Sequence, residues 1–155
     1  QYHQFPNEYL DELFNLKISG CTPIIAHPER YLPVQKNPEL LRKMLEIGCI
    51  IQINAGSPLG FFGKHSKKAS LKILKNNWCQ IIGSDAHNNR NRNFCLLECM
   101  KYLKRKVDFD ISQLINKNPR KVIYGEPIST NNVYNKQNSS RKFYFNLEKF
   151  KLLFK

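Results

Sequence analysis

Two short segments carry side chains able to bind a metal ion or an anion, and both sit directly after an apolar run. Ser84-Asp85-Ala86-His87 follows Gln80-Ile81-Ile82-Gly83, and His27-Pro28-Glu29-Arg30 follows Pro23-Ile24-Ile25-Ala26. Asp85 and His87 stand at i and i+2, so in extended backbone both point to the same side and can converge on one ion or on two neighbouring ions. His27 is a third candidate ligand, and Arg30 places a guanidinium three residues from it. Metal and anion chemistry are therefore both on offer. The bland readings are a hydrogen-bonded core histidine at His27, and a helix cap with a surface histidine at Asp85 and His87. The placement of all three residues at strand ends weighs against them.

The elements that must position these residues alternate between helix and strand signals. A helix is expected after Pro6-Asn7-Glu8, with Leu10, Leu13, Phe14 and Lys17 on one face and Gly20 as its stop. A strand over residues 23–26 follows. Asn37-Pro38-Glu39 then supplies a cap, a first-turn proline and an acid to a helix with Leu41, Met44 and Leu45 as its stripe and Gly48 as its end. Residues 49–54 read as the second strand, 55–64 as a loop, 66–75 as a helix and 79–83 as the third strand. Helices are expected at 93–105 and 111–116, and a last short turn at Asn118-Pro119. The strands begin near residues 23, 49 and 79, the spacing of βα repeats, which predicts an α/β fold with a parallel sheet and helical crossovers. Their continuous apolar character predicts burial on both faces. In such folds chemistry gathers at the carboxyl ends of the strands, where His27, Asn54, Asp85 and His87 all fall. Gln52 and Asn54 are expected either as supports for the ligands or as ordinary strand-end hydrogen bonders. Arg92 and Arg90 compete for a place at the site; His3 and His65 read as surface residues.

The chain has 155 residues, 41% of them apolar and 24% charged, which suits one globular domain with a real core. No apolar stretch approaches the roughly 20 residues that span a bilayer and no leader pattern opens the chain, so a cytoplasmic protein is expected. It begins without Met, upstream of a helix-like segment, and the expectation is that the natural beginning lies upstream. Five cysteines without a C-x-x-C pair read as buried reduced thiols. Cys99 and Arg105 stand at the spacing of cysteine-dependent tyrosine phosphatases, yet the residues between them lack glycine and continue a helix, so the match reads as coincidence. The net charge is +13, and residues 129–155 carry five of those charges in net terms. Such a field attracts nucleic acid, an anionic membrane or a phosphorylated substrate without choosing among them. The expected organisation is a partial α/β domain over 1–128, a polar linker over 129–141 and a basic amphipathic tail over 142–155. In the tail, Phe143, Leu147, Phe150 and Phe154 share a helical face that could touch a membrane surface, although packing on the domain or a strand through Phe143, Phe145 and Leu147 fits better.

With those residues in view, the chain resembles the bacterial capsule-type tyrosine phosphatases of the polymerase and histidinol phosphatase (PHP) superfamily. The matching segments run in order: Pro23 to Tyr31, Gln52-Ile53-Asn54, Gly60-Phe61-Phe62-Gly63-Lys64, Ser84 to Asn88 with Arg92, and Asn118-Pro119. The resemblance covers about residues 5 to 128. It implies the carboxyl-terminal part of a distorted, TIM-like (β/α)7 barrel. It also implies a cluster of divalent ions, commonly manganese, and hydrolysis of phosphotyrosine on the autokinases that control capsule and exopolysaccharide export. By position His27, Asp85 and His87 match metal ligands, Arg30 and Arg92 match the arginines that hold the substrate phosphate, and no specific nucleic acid is implied as a partner. Clustered divalent ions activate a water and clamp an in-line displacement, and arginine forks pair with phosphate oxygens.

The amino-terminal third of the family pattern, with a His-x-His pair, further Asp and His ligands and a bridging Glu, lies outside this sequence. A cluster without about half of its ligands binds weakly, so the expectation is a fragment whose own activity is open. Two alternatives stand beside the phosphotyrosine reading: another PHP phosphoesterase acting on a small phosphate such as histidinol phosphate, and a non-catalytic basic module that binds an anionic polymer or membrane through residues 142–155.

Overall fold

A computed structural model of the chain describes residues 4–90 and 92–130. The linker and tail expected from residue 129 onward therefore lie, from residue 131, outside the described residues. Three parallel strands, β1 (Ile24–Ala26), β2 (Ile50–Asn54) and β3 (Ile81–Gly83), form one sheet in the order β1-β2-β3. The register pairs Ile25 with Ile51 and Ile53 with Ile82, which aligns the carboxyl ends of all three strands along one rim.

The central strand behaves as expected of a buried βα strand: Ile50, Ile51, Ile53 and Asn54 are all buried. β1 does not. Its residues run exposed, half-buried, exposed, and Ile24 is 38% exposed, because among the described residues β1 is an edge strand paired on one side only. Burial on both faces thus holds for β2 and fails for β1.

Helices supply the crossovers. α1 (Tyr9–Ile18) carries Asp11 and Glu12 in its first turn and Lys17 in its last, the polarity favoured by the helix dipole. Leu10 and Leu13 pack onto the core, whereas Phe14 is exposed. Phe5 stacks on Tyr9 and on Tyr31, with ring centroids 4.7 and 5.1 Å apart, and ties the segment before α1 to the end of the β1 turn. A short helix, α2 (Leu32–Lys36), was not expected; five residues with one buried apolar side chain, Val34, show no periodicity to read. α3 (Leu40–Ile47) buries the expected Leu41, Met44 and Leu45. It ends at Gly48, whose φ of +92° is costly for a residue with a Cβ.

The expected loop over 55–64 contains a helical turn, α4 (Gly56–Leu59), and α5 (Gly63–Lys75) starts before the expected Ser66. Glycine and proline at residues 56, 58, 60 and 63 punctuate chain direction here without abolishing helix. α6 (Leu96–Leu103) starts later than expected because the Asn93 side chain accepts the Phe94 N–H at 2.7 Å in a local turn. The last helix is continuous through residues 111–123: a π turn over Gln113–Lys117 runs directly into α7 (Asn118–Ile123), where separate pieces were expected. Asn118 Nδ2 donates to the Gln80 carbonyl at 2.7 Å and anchors this helix at the start of β3.

Four of the cysteines, Cys49, Cys79, Cys95 and Cys99, are buried free thiols; Cys21 is exposed, contrary to expectation. Cys99 lies fully inside α6 and burial pushes its thiol up to about 12, so the Cys99 and Arg105 spacing carries no phosphatase loop. Among the described residues no helix is long and apolar enough to cross a membrane.

Candidate active site

Each strand hands a polar side chain to the common rim. At the end of β1 the His27 N–H donates to the Gln52 carbonyl at 2.8 Å, and His27 itself takes a left-handed conformation with φ +41°. That geometry costs a non-glycine residue about 1–3 kcal/mol and persists only where surrounding contacts determine it. The chain then closes a 3-10 turn over Pro28–Arg30 in which Arg30 N–H donates to the His27 carbonyl. At the end of β2, Asn54 is fully buried. Two residues beyond β3, Asp85 is again left-handed, with φ +51°. The expectation of extended backbone through Asp85 and His87 therefore fails, because the chain turns at Asp85 itself.

Asp85 is the hub. Its Oδ2 accepts from Asn54 Nδ2 at 2.7 Å and from Arg92 at 2.5 Å, with Arg30 at 3.5 Å. The loop after β3 brings Arg92 back to it: His87 N–H and Asn88 N–H donate to the Arg92 carbonyl, and Asn88 Oδ1 accepts the N–H groups of Arg90 and Arg92. Of the two competing arginines, Arg92 pairs with Asp85 and Arg90 is exposed. His87 is 53% exposed, and its Nδ1 lies 2.8 Å from the Asp85 carbonyl oxygen and 3.8 Å from Asp85 Oδ1. Gln52 lies against Gly83, its Nε2 3.1 Å from where a Cβ would stand there. His65 is exposed, as expected, and His3 is outside the described residues.

Two half-buried guanidiniums against one carboxylate leave a net positive charge at the rim. Arg92 Nε and Asn54 Oδ1 are buried and have no hydrogen-bond partner among the described residues. The Arg30 guanidinium also lies 4.5 Å from the centre of the Phe62 ring, which fixes its plane by a cation–π contact. Gly56 makes this possible: a Cβ there would come within 3.0 Å of both the Phe61 and Phe62 rings. The rim can therefore grip a small tetrahedral anion through oriented, charge-assisted hydrogen bonds.

Burial, and then the neighbouring Arg30, lowers the His27 pKa below its ordinary value, which favours the neutral imidazole that metals bind. His27, Asp85 and His87 have the right donor chemistry for a divalent ion. Among the described residues, however, no group of three or more His, Cys, Asp or Glu side chains stands close enough to hold one. These residues offer part of a metal site, and a closed one needs ligands from elsewhere.

Three contributors were not assigned a role from the sequence. Glu29 is fully buried, and its Oε1 accepts from the Asn54 N–H at 3.0 Å and from Ser57 Oγ at 2.6 Å. Burial pushes its carboxyl up to about 7 against the opposing pull of those hydrogen bonds. Ser57 is that partner, and Phe62 is the Arg30 platform. Glu29 sits inside the His-Pro-Glu-Arg segment and Phe62 beside Gly63, but nothing in their spacing says which way they point.

The family model for capsular polysaccharide synthesis, CpsB/CapC, matches residues 5–124. The chain is 35% identical over 121 residues to the tyrosine-protein phosphatase YwqE of Bacillus subtilis (strain 168), covering 77% of this chain and 48% of YwqE. It is 37% identical over 131 residues to CapC of Staphylococcus aureus, covering 81% of this chain and 51% of CapC. Over 122 residues it is 32% identical to the tyrosine-protein phosphatase CpsB of Streptococcus pneumoniae, covering 75% of this chain and 50% of CpsB. Among solved structures it is similar to one from a crystallographic study of YwqE and CpsB, described as unique metal-dependent tyrosine phosphatases. That match has a TM-score of 0.77 and 31% identity over 83% of this chain and 52% of the other. The chain spans about half the length of the curated relatives it matches. With the family model running through all three strands and the rim they build, this chain belongs to the CpsB/CapC capsular polysaccharide synthesis family.

Proposed function

We propose that this chain supplies the phosphate-holding part of a metal-dependent protein-tyrosine phosphatase. The single observation that carries this reading is the convergence of Arg30, from the turn after β1, and Arg92, from the loop after β3, on one oxygen of Asp85. That arrangement preorganises two guanidinium groups around a site left with one net positive charge, which attracts a phosphate anion. The names of the relatives favour phosphotyrosine over histidinol phosphate as the substrate.

In this reading the Arg92 guanidinium and the Phe62-backed Arg30 guanidinium hold the nonbridging phosphate oxygens. They hold the phosphorus still for in-line attack and offset the charge that develops on those oxygens. Asn54 keeps Asp85 oriented and Asp85 keeps both arginines pointed inward. Divalent ions, manganese being the expected species, supply an activated water when bound. His27, Asp85 and His87 would be this chain's ligands to them, the others coming from outside the described residues. Gln52 and Asn54 would support the ligands from behind. The parallel sheet is then the carboxyl-terminal part of a distorted, TIM-like (β/α)7 barrel, whose chemistry lies at the strand carboxyl ends. The substrate would be a phosphotyrosine protein, an autokinase of polysaccharide export, met in the cytoplasm.

The test uses protein made from the complete gene and a panel of phosphotyrosine peptide, phosphoserine peptide and histidinol phosphate. The expected result is selective hydrolysis of the phosphotyrosine peptide, lowered at least about tenfold by exhaustive chelation and restored by manganese. Hydrolysis that is equally fast after chelation, or that favours histidinol phosphate, overturns the reading.

A further inference from the structure

Among the buried polar side chains, Glu29 is the one tied to most of the surrounding elements, and among the described residues it forms no ion pair with an arginine. Its side chain is fully buried, with Oε1 accepting from the Asn54 N–H on β2 and from Ser57 Oγ on α4. Its carbonyl accepts from Gln35 Nε2 on α2 at 3.1 Å, and the same amide donates to Ser66 Oγ on α5 at 3.0 Å. A single residue thus bolts the 3-10 turn to three elements, and through Gln35 to a fourth. Filling space does not explain a carboxyl here, since an apolar side chain would do so without being stripped of water.

The placement gives the reason. Glu29 is the middle residue of the turn Pro28–Arg30, directly before Arg30, and the turn begins at the left-handed His27. Asn54 is held by Glu29 through its backbone N–H and holds Asp85 through its side chain. The path Glu29, Asn54, Asp85 is therefore a short rigid brace from the turn that carries Arg30 to the carboxylate that carries Arg92. A bidentate grip on one phosphate demands that two guanidinium groups from different strands keep a fixed separation.

We propose that Glu29 is the positioning residue of the phosphate site, setting the distance between Arg30 and Arg92 by clamping the His27 turn to Asn54 and Ser57. This rests on the reading of the two arginines as phosphate holders. Glu29 acts through Arg30, so its removal should matter only while Arg30 is present.

The experiment compares Glu29→Gln, Glu29→Leu and Ser57→Ala in metal-loaded protein from the complete gene, reading inorganic phosphate affinity by titration calorimetry beside phosphotyrosine-peptide kinetics. Glu29→Gln keeps an oxygen for both donors and should stay within about threefold of wild type in phosphate affinity. Glu29→Leu should weaken phosphate about 10- to 100-fold, and Ser57→Ala a few-fold in the same direction. In the Arg30→Ala background Glu29→Leu should cost no more than about twofold further. Full losses that multiply in the double variant, or Glu29→Gln as damaging as Glu29→Leu, overturn the proposal. Should Glu29→Leu not fold, Ser57→Ala in the two backgrounds decides by the same criterion. Wild-type protein that binds phosphate through Arg30 yet hydrolyses no phosphotyrosine peptide defeats the phosphatase reading alone. Wild-type protein that hydrolyses the peptide while Glu29→Leu binds phosphate normally defeats the Glu29 proposal alone.

Discussion

Asp85→Ala is expected to lower kcat/KM toward a phosphotyrosine peptide by about 10³-fold or more, the scale of losing more than one preorganised electrostatic contribution at a time. The carboxylate is the only described acidic partner of both Arg30 and Arg92, and its removal leaves two half-buried guanidinium groups to repel each other. The Asn54 amide loses its 2.7 Å acceptor in the interior at the same moment. The proposed metal site loses an oxygen ligand as well. Asp85→Asn retains an acceptor for Asn54 and Arg92 but not the charge, and should fall between the two. Steady-state kinetics on the three proteins, with metal content measured on each, checks the order. Asp85→Ala within tenfold of wild type would remove Asp85 from the centre of the account.

Arg30→Lys is expected to cost about 10²-fold in kcat/KM, comparable to losing one oriented charge-stabilising donor, even though the charge is conserved. An ammonium presents no planar fork to two phosphate oxygens and cannot lie flat on a ring. Arg30 uses both properties: it sits 4.5 Å from the Phe62 ring centre while its Nη1 reaches toward Asp85. The loss should appear largely in phosphate affinity, read as the inhibition constant of inorganic phosphate. Arg92→Lys should behave similarly, because Arg92 also directs one guanidinium nitrogen at Asp85. Lysine variants as active as wild type would mean that charge alone suffices and that the guanidinium geometry is incidental.

The strands were legible because their β-branched runs and spacing leave few alternatives, and the polar residues at their carboxyl ends followed directly. His27, Asn54, Asp85 and Arg92 all reach one rim as expected. The end of α3 at Gly48 was legible for a similar reason, but its start was not: Asn37 accepts the Glu39 N–H in a turn before the helix, which begins at Leu40 rather than at Pro38. What could not be read is local backbone direction. Nothing in Ser84-Asp85-Ala86-His87 announces that Asp85 adopts φ +51°, and that turn removes the same-side argument for His87. The expected third metal ligand is accordingly the most solvent-exposed of the set. Nor does a glutamate between a proline and an arginine announce burial, because charged residues are buried only where tertiary partners wait for them, here Ser57 and the Asn54 N–H. The exposed face of β1 has the same origin: an apolar run specifies a strand, and its neighbours decide whether both faces are covered.

The most direct test is a crystal structure of protein from the complete gene, loaded with manganese and soaked in inorganic phosphate. The account predicts a phosphate with oxygens within about 3 Å of both the Arg30 and Arg92 guanidinium groups, beside metal ligated by His27, Asp85 and His87. Phosphate bound away from the two arginines, or metal that leaves Asp85 untouched, would contradict it.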